Sequence, residues 1–181
     1  MLYLTFDDGP DPVFTPQVLS VLRAHDAQAT FFMVGEEAAR HPGLVEKVRR
    51  DGHAVGNHTW DHPWLTTLSG DAVQQQLIRT REVTGPGRCL RAPYGASNAE
   101  VHAAAGVAGY RQVWHWSVDT RDWTEPGVPA ITASILEGAS PGAVQLMHDG
   151  GIDRSQTVEA LDRALTRLAA QGWSFEALPG C

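Results

Sequence analysis

The feature that most constrains this chain is an alternation of short, strand-like apolar runs with helix-length segments, carried along nearly all of its 181 residues. Strands are expected at Leu2–Phe6, Ala29–Val34, His53–Asn57, Cys89–Ala92, Gln112–Ser117, Ala143–Met147 and Trp173–Ala177. Each is short, rich in β-branched or aromatic residues, and bounded by Gly, Pro or Asp. Helices are expected between them, at Thr15–His25, Leu44–Arg50, Asp71–Thr84, Asn98–Ala105, Pro129–Leu136 and Ser155–Gln171. The first places Val18, Leu19 and Leu22 on one face, and the last carries Val158, Leu161, Leu165 and Leu168 on one stripe. Gly52 and Gly172 act as stop signals after two of them. Strands separated by helices pair in parallel, so the chain reads as α/β. About seven such units, without a repeat or a linker, are expected to form one domain over residues 1–181. An open doubly wound sheet and a (β/α) barrel both fit this pattern. A full eight-unit barrel needs roughly 250 residues, so a barrel here is small or incomplete. Both architectures gather functional residues at the C-terminal ends of the strands.

Composition narrows the partners. Hydrophobic residues make up 43% and charged residues 19%, enough for a real core and too ordered a balance for a disordered chain. Fourteen basic against 21 acidic residues give a net charge of −7, with no basic run. Nucleic acid and anionic membranes are therefore not expected partners. No stretch approaches the ~18 apolar residues of a membrane span. Met1-Leu2-Tyr3 runs straight into strand-like sequence, without a basic start or a cleavage site. The reading is a secreted or cell-envelope protein whose signal segment lies outside this sequence, with a cytoplasmic protein as the alternative; a monomer is expected. The two cysteines, Cys89 and Cys181, are compatible with a disulfide and equally with two independent thiols. Six tryptophans tilt the reading toward a flat-ring ligand such as carbohydrate.

The polar residues just past the strand ends carry the chemistry. They are Asp7-Asp8-Gly9-Pro10, His58-Thr59-Trp60-Asp61-His62, Arg91 with Pro93-Tyr94-Gly95, Asp119-Thr120-Arg121-Asp122-Trp123, and His148-Asp149. Adjacent Asp7 and Asp8 would point to opposite faces of a strand, unless the turn at Gly9-Pro10 aims both inward. A helix-capping turn is the plain alternative. A glycosidase needs two carboxylates roughly 5–10 Å apart, which neighbours reach only awkwardly. His58 and His62 have i, i+4 spacing suited to one metal, but Thr59 stands where a zinc protease of the usual pattern has Glu. One Asp and two His leave open positions for water and substrate, the pattern of a catalytic divalent site.

Taken in order, Thr5-Phe6-Asp7-Asp8-Gly9-Pro10, His58-Thr59-Trp60-Asp61-His62, Arg91-Ala92-Pro93-Tyr94-Gly95, Asp119-Thr120-Arg121-Asp122-Trp123 and Leu146-Met147-His148 resemble the five motifs of the NodB-homology polysaccharide deacetylases, the fourth family of carbohydrate esterases. Ala92 stands where that family commonly has proline. The resemblance implies a deformed, incomplete (β/α) barrel. It implies Asp7 as general base, with Arg91 as its partner. Asp8, His58 and His62 would hold a divalent metal, zinc first, with cobalt or nickel as alternatives. The backbone N–H of Tyr94 would face the oxyanion. His148 would be the general acid, supported by Asp122, while Trp123 and Leu146 would line the acetyl pocket together with Tyr94. Those two apolar residues read otherwise as core. Asp119 is expected to fix the loop around Asp122. Trp60 and Trp64 are candidates for stacking on sugar rings, and Asp61 either supports the metal loop or is simply exposed. The implied activity is metal-dependent removal of acetyl groups from a polysaccharide or oligosaccharide, led by N-acetylglucosamine polymers such as chitin or peptidoglycan. Acetylxylan esterase, a non-catalytic sugar-binding module and a small-molecule amidase are the alternatives.

Overall fold

In the computed structural model of residues 1–181, strands β1 (Leu2–Asp7), β2 (Thr30–Met33), β3 (Ala54–Asn57), β4 (Cys89–Leu90), β5 (Gln112–Val113), β6 (Val118–Asp119) and β7 (Val144–His148) form one sheet. Their order is β5-β4-β3-β2-β1-β7-β6, and β8 (Phe175–Glu176) pairs with the start of β1. Every pairing is parallel. The edges β5 and β6 do not meet, so the barrel is curled but incomplete. Helices α1 (Phe14–Ala24), α2 (Gly35–Arg40), α3 (Pro42–Arg50), α4 (Gly70–Thr84), α5 (Ala99–Val107), α6 (Val128–Glu137) and α7 (Ser155–Ala170) connect the strands.

Two-residue periodicity sorts each strand between two environments. Leu2, Leu4 and Phe6 of β1, with Phe31, Met33 and Val55 of its neighbours, are buried against Val18, Leu22, Val48, Leu161 and Leu165 of the helices. Burying each such side chain contributes roughly 1.5–3 kcal/mol, which makes this outer layer the main source of stability. A second apolar cluster joins Leu65, Val73, Leu77, Leu90 and Val101 under α4 and α5. The opposite face of the strands forms the barrel interior. There Phe32, Cys89, Val144 and Leu178 pack with Tyr3, Trp114 and Trp116.

Four elements differ from the sequence reading; one is the strand expected over Cys89–Ala92, which ends at Leu90 ahead of the turn at Pro93–Gly95. The strand expected over Gln112–Ser117 ends at Val113, and the chain re-enters the sheet as β6 at its other edge. Between them Trp114 N–H donates to Leu90 O (2.7 Å) and Ser117 N–H to Val144 O (3.1 Å), so residues 114–117 cross the opening of the barrel. Apolar character there reflects packing across this gap, not a ladder. The six-residue α2 has no expected counterpart, because it is too short to show an amphipathic pattern. The last strand is confined to Phe175–Glu176, after which the tail turns beneath the barrel.

That tail is fastened twice. Leu178 N–H donates to Thr30 Oγ1 (2.9 Å), and Cys181 forms a disulfide with Cys89, 92 residues away. Of the two readings open for the cysteines, the structure holds the bridge. It lies at the N-terminal ends of the strands, opposite Asp7 and His148. Closing a loop of this length stabilises by ~2–4 kcal/mol through the unfolded state. Cys181→Ser is therefore expected to lower the unfolding free energy by that amount, moving the urea midpoint down, while leaving the native fold at 25 °C intact. Equilibrium urea unfolding and near-UV circular dichroism on the same preparation check both halves.

Candidate active site

Asp7 ends β1 with its side chain in the barrel interior, and Asp8 follows in a left-handed conformation (φ 72°). That turn brings two adjacent carboxylates to one cleft, resolving the geometric objection raised by their adjacency. Asp tolerates this backbone better than most residues. Past the end of β3, His58 and His62 project toward Asp8, with Thr59 (φ 68°) and His62 (φ 60°) also left-handed. Asp8 Oδ1 lies 3.4 Å from His58 Nε2 and 3.2 Å from His62 Nε2.

A buried polar network maintains this strained loop. Asn57 Oδ1 accepts from Thr59 N–H (2.8 Å), while its Nδ2 donates to Leu77 O (2.9 Å) and Tyr110 Oη (2.6 Å). The first N–H groups of α2 have no helical partner, and they take the loop carbonyls instead. Gly35 N–H donates to Thr59 O (2.9 Å) and Glu36 N–H to Trp60 O (3.0 Å). The helix absent from the sequence reading thus anchors the loop that carries two of the candidate ligands.

A hydrogen bond to a carbonyl fixes the His58 tautomer. His58 Nδ1 is 2.8 Å from Arg91 O. A carbonyl only accepts, so Nδ1 carries the proton and neutral Nε2 presents a lone pair to the cleft. His62 Nδ1 is 3.1 Å from Tyr94 Oη, leaving its Nε2 for the same point. Asp8 Oδ1 is buried without a hydrogen-bond partner. Two lone pairs and an orphaned carboxylate oxygen, all within 4.8 Å of one another, fit a divalent cation. Burial works against the charge on Asp8, yet the closeness of the His58 and His62 imidazoles outweighs it and holds its carboxyl well below the usual range. Burial likewise lowers the His58 pKa, but Asp7 and Asp8 reverse that and raise it. A site that attracts protons this way attracts a metal cation in their place.

Two ion pairs flank this cluster. Arg91 is fully buried, donating from Nη1 to Asp7 Oδ1 (2.9 Å) and Thr5 Oγ1 (2.8 Å), and from Nη2 to His115 O (3.2 Å). Asp7 Oδ2 lies 3.8 Å from His58 Nε2. On the neighbouring strand, His148 is the register partner of Asp7. Its Nδ1 lies 2.7 Å from Asp122 Oδ1, while Asp122 Oδ2 accepts from His148 N–H (2.9 Å) and Thr157 Oγ1 (2.8 Å). Burial alone lowers the His148 pKa, but the hydrogen bond and charge of Asp122 raise it above the ordinary value. Asp122, itself buried, is held below the carboxylate range chiefly by His148.

Asp7, Asp8, His58, His62 and His148 share a cavity of about 390 Å³, with Trp116, Trp123 and Leu146 on its apolar side and Tyr94 at its mouth. A second hollow of about 350 Å³ adjoins it, sharing Asp8 and His62 and continuing past Pro10, Asp11 and Glu37. The cleft therefore extends to both sides of the histidines. A larger hollow of about 610 Å³, beside His53 and Trp173, contains none of these groups. Tyr94 is left-handed (φ 61°) within a one-turn 3-10 helix at Pro93–Gly95. Asp119 Oδ1 accepts from Arg121 N–H (2.8 Å), fixing the loop before Asp122. Asp61 is exposed and accepts from Gln76 Nε2 (2.8 Å). Trp60 is buried with the Arg79 guanidinium 3.6 Å from its ring centroid, so it does not offer a face to a sugar; Trp64 is exposed.

The sequence reading assigned no role to Asp149 and Gly150, although both directly follow His148. Asp149 is fully buried, accepts from Thr15 Oγ1 (2.5 Å), and donates its backbone N–H to Asp7 O (3.1 Å). Burial, aided by the charges of Asp8 and Asp7, pushes its pKa up to about 7. Gly150 packs so closely on the Asp8 carbonyl that a Cβ could not be placed without moving one of them. Gly150→Ala is expected to displace Asp8 and lower divalent-cation affinity at least 10-fold, since ligand geometry sets affinity. Competition with a chelating dye measures this, with circular dichroism showing an unchanged fold.

The comparisons with known proteins agree with this geometry. Residues 1–113 match the family model for polysaccharide deacetylase. The chain is 42% identical over 181 residues to a peptidoglycan-N-acetylglucosamine deacetylase of Bacillus cereus, covering 97% of this chain and 84% of that protein. It is 41% identical over 196 residues to a chitooligosaccharide deacetylase of Rhizobium leguminosarum bv. trifolii, covering 98% and 90%. A crystal structure of a peptidoglycan N-acetylglucosamine deacetylase in complex with 4-naphthalen-1-yl-N-oxidanyl-benzamide superposes with a TM-score of 0.93 at 36% identity, covering 98% of this chain and 86% of that one. By sequence, fold and the convergence of its strand-end residues, this chain belongs to the polysaccharide deacetylase family.

Proposed function

We propose that this protein is a metal-dependent deacetylase of N-acetylglucosamine polymers or oligomers, with zinc as the leading metal and cobalt or nickel as substitutes. The observation that carries this reading is the Asp8, His58 and His62 cluster, set between a carboxylate paired with arginine and a histidine paired with carboxylate. By their names, one of the two relatives deacetylates peptidoglycan N-acetylglucosamine and the other chitooligosaccharide. A cleft continuing to both sides of the histidines suits a chain better than a capped small molecule. The presence of base, ligands and acid favours an enzyme over a sugar-binding module. The Cys89–Cys181 disulfide supports export to an oxidising compartment, and no helix is long and apolar enough to cross a membrane.

The division of labour follows from the geometry. Asp8, His58 and His62 would hold a divalent cation, which when bound would supply Lewis-acid polarisation of the acetyl carbonyl and lower the pKa of a water. Asp7, oriented by Arg91, takes the proton from the attacking water. The amide nitrogen is a poor leaving group and must be protonated as the C–N bond breaks. His148 supplies that proton from Nε2, its Nδ1 being engaged with Asp122. The backbone N–H of Tyr94 faces the developing oxyanion, and Trp123 and Leu146 pack around the acetyl methyl. The same groups can act on an O-acetyl ester, where less leaving-group protonation is required.

Two experiments test the reading. Acetate release from chitooligosaccharides, peptidoglycan and acetylxylan is expected to vanish on chelation and return with zinc or cobalt, most strongly for the first two. Full activity in metal-free protein would overturn it. The second addresses the acid. Because Asp122 raises the His148 pKa, replacing it by Asn lets His148 deprotonate at lower pH. Asp122→Asn should therefore shift the alkaline limb of the pH–rate profile to lower pH, leave the acid limb nearly fixed, and reduce turnover by ~10²-fold. An unmoved alkaline limb at normal activity assigns the acid elsewhere.

A further inference from the structure

Trp64 is a large apolar side chain left 52% exposed beside a cleft, although its neighbour Leu65 is fully buried. Its display is built. Thr67 donates to the Trp64 carbonyl from its backbone N–H (3.0 Å) and its hydroxyl (2.7 Å), fixing the main chain. The indole lies flat on Tyr94, with ring centroids 4.2 Å apart and planes 12° from parallel. One face is thus spent on Tyr94 and the other is turned outward. Tyr94 in turn stands edge-on to His62 at 4.7 Å and bonds to it through its hydroxyl. The free indole face therefore sits two ring spacings from a candidate metal ligand, at the mouth of the catalytic cavity.

We infer that the outer face of Trp64 is a stacking platform for a sugar ring adjacent to the one being deacetylated, and that it makes this enzyme selective for oligomers over isolated acetylated groups. This rests on the deacetylase reading. A β-linked pyranose presents a face of axial C–H groups, weakly positive and apolar, which complements the negative π face of an indole. Pre-stacking on Tyr94 removes most of the rotamer freedom such a contact would otherwise cost, so the platform binds at little entropic penalty. Trp60, on the same loop, cannot serve, because Arg79 covers its buried ring. Trp123, on the other wall, borders the reacting group itself. Trp64 is the aromatic residue placed to read the next sugar.

The alternative is that Trp64 only shields the Tyr94–His62 contact. The two roles separate by substrate. Zinc-loaded wild type, Trp64→Ala and Trp64→Phe are assayed on the N-acetylglucosamine pentamer and on 4-nitrophenyl acetate, which fills the catalytic pocket alone. The expected result for Trp64→Ala is a loss of about 10-fold in kcat/KM on the pentamer, equivalent to ~1.4 kcal/mol. The loss should lie mainly in KM, with the ester unchanged and Trp64→Phe largely restored. Calorimetry on zinc-loaded Asp7→Asn should show the same 10-fold weakening of pentamer binding when Trp64→Ala is added. Equal losses on pentamer and ester, or an unaltered pentamer response, overturn the platform. Wild-type protein that binds the pentamer through Trp64 yet releases no acetate instead overturns the deacetylase reading.

Discussion

Arg91 is a guanidinium with no exposed surface, placed inside a barrel that lacks closing hydrogen bonds between β5 and β6. A closed barrel of this kind fills its interior with layers of apolar side chains. Here the upper layer is replaced by an ion pair. Arg91 joins Thr5 and Asp7 of β1, spans the opening to His115 O, and sits 4.3 Å over the Phe32 ring of β2. Its own carbonyl accepts from His58 Nδ1. One residue therefore orients the proposed base through its side chain and a candidate metal ligand through its backbone. Removing one partner of such a pair strands a buried charge and costs about 3–5 kcal/mol. The catalytic arrangement and the integrity of the barrel consequently share one interaction.

The cleft also concentrates backbone strain. Asp8, Thr59, His62, Tyr94 and Arg121 all have positive φ, and each belongs to a loop at the C-terminal ends of the strands. Non-glycine residues held this way cost of order 1–3 kcal/mol each and persist only where surroundings over-determine them. The surroundings here are identifiable. Asn57 and the start of α2 hold the loop of Thr59, Asp119 holds Arg121, and Gly150 packs on the Asp8 carbonyl. The outer apolar layer, far from the chemistry, supplies the stability against which this strain is maintained.

The strands and the candidate site were legible in the sequence for the same reason. Two-residue periodicity is local, and the polar residues that interrupt it mark the strand ends where a parallel sheet collects its chemistry. Asp7, Asp8, His58, His62, Arg91, Asp122 and His148 all stand at such interruptions. What was not legible depends on contacts distant in sequence. The departure of Trp114–Ser117 from the sheet depends on where the barrel opens, a global property. The cysteine pairing needed the tail to fold beneath β4. Trp60 and Trp64 are equivalent by composition, and only packing of Arg79 on one and Tyr94 on the other separates them. Gly150 carries no local signal of its role, because the carbonyl it contacts lies 142 residues earlier.

The proposed base and acid sit on paired positions of adjacent strands, Asp7 on β1 and His148 on β7, so the fold gives them almost the same location. Their different tasks must therefore come from what each one faces. Asp7 meets a guanidinium that cannot lose its proton, delivered from β4 across the interior. His148 meets a carboxylate that cannot easily gain one, delivered from the loop after β6 and kept charged by His148 itself and by Thr157. Exchanging the partners would make each group unfit for its task. The curl of the incomplete barrel makes this asymmetry possible, because it lets the end of β4 and the loop after the edge strand β6 approach the same pair of central strands from opposite sides. Environment, rather than residue type alone, assigns the roles.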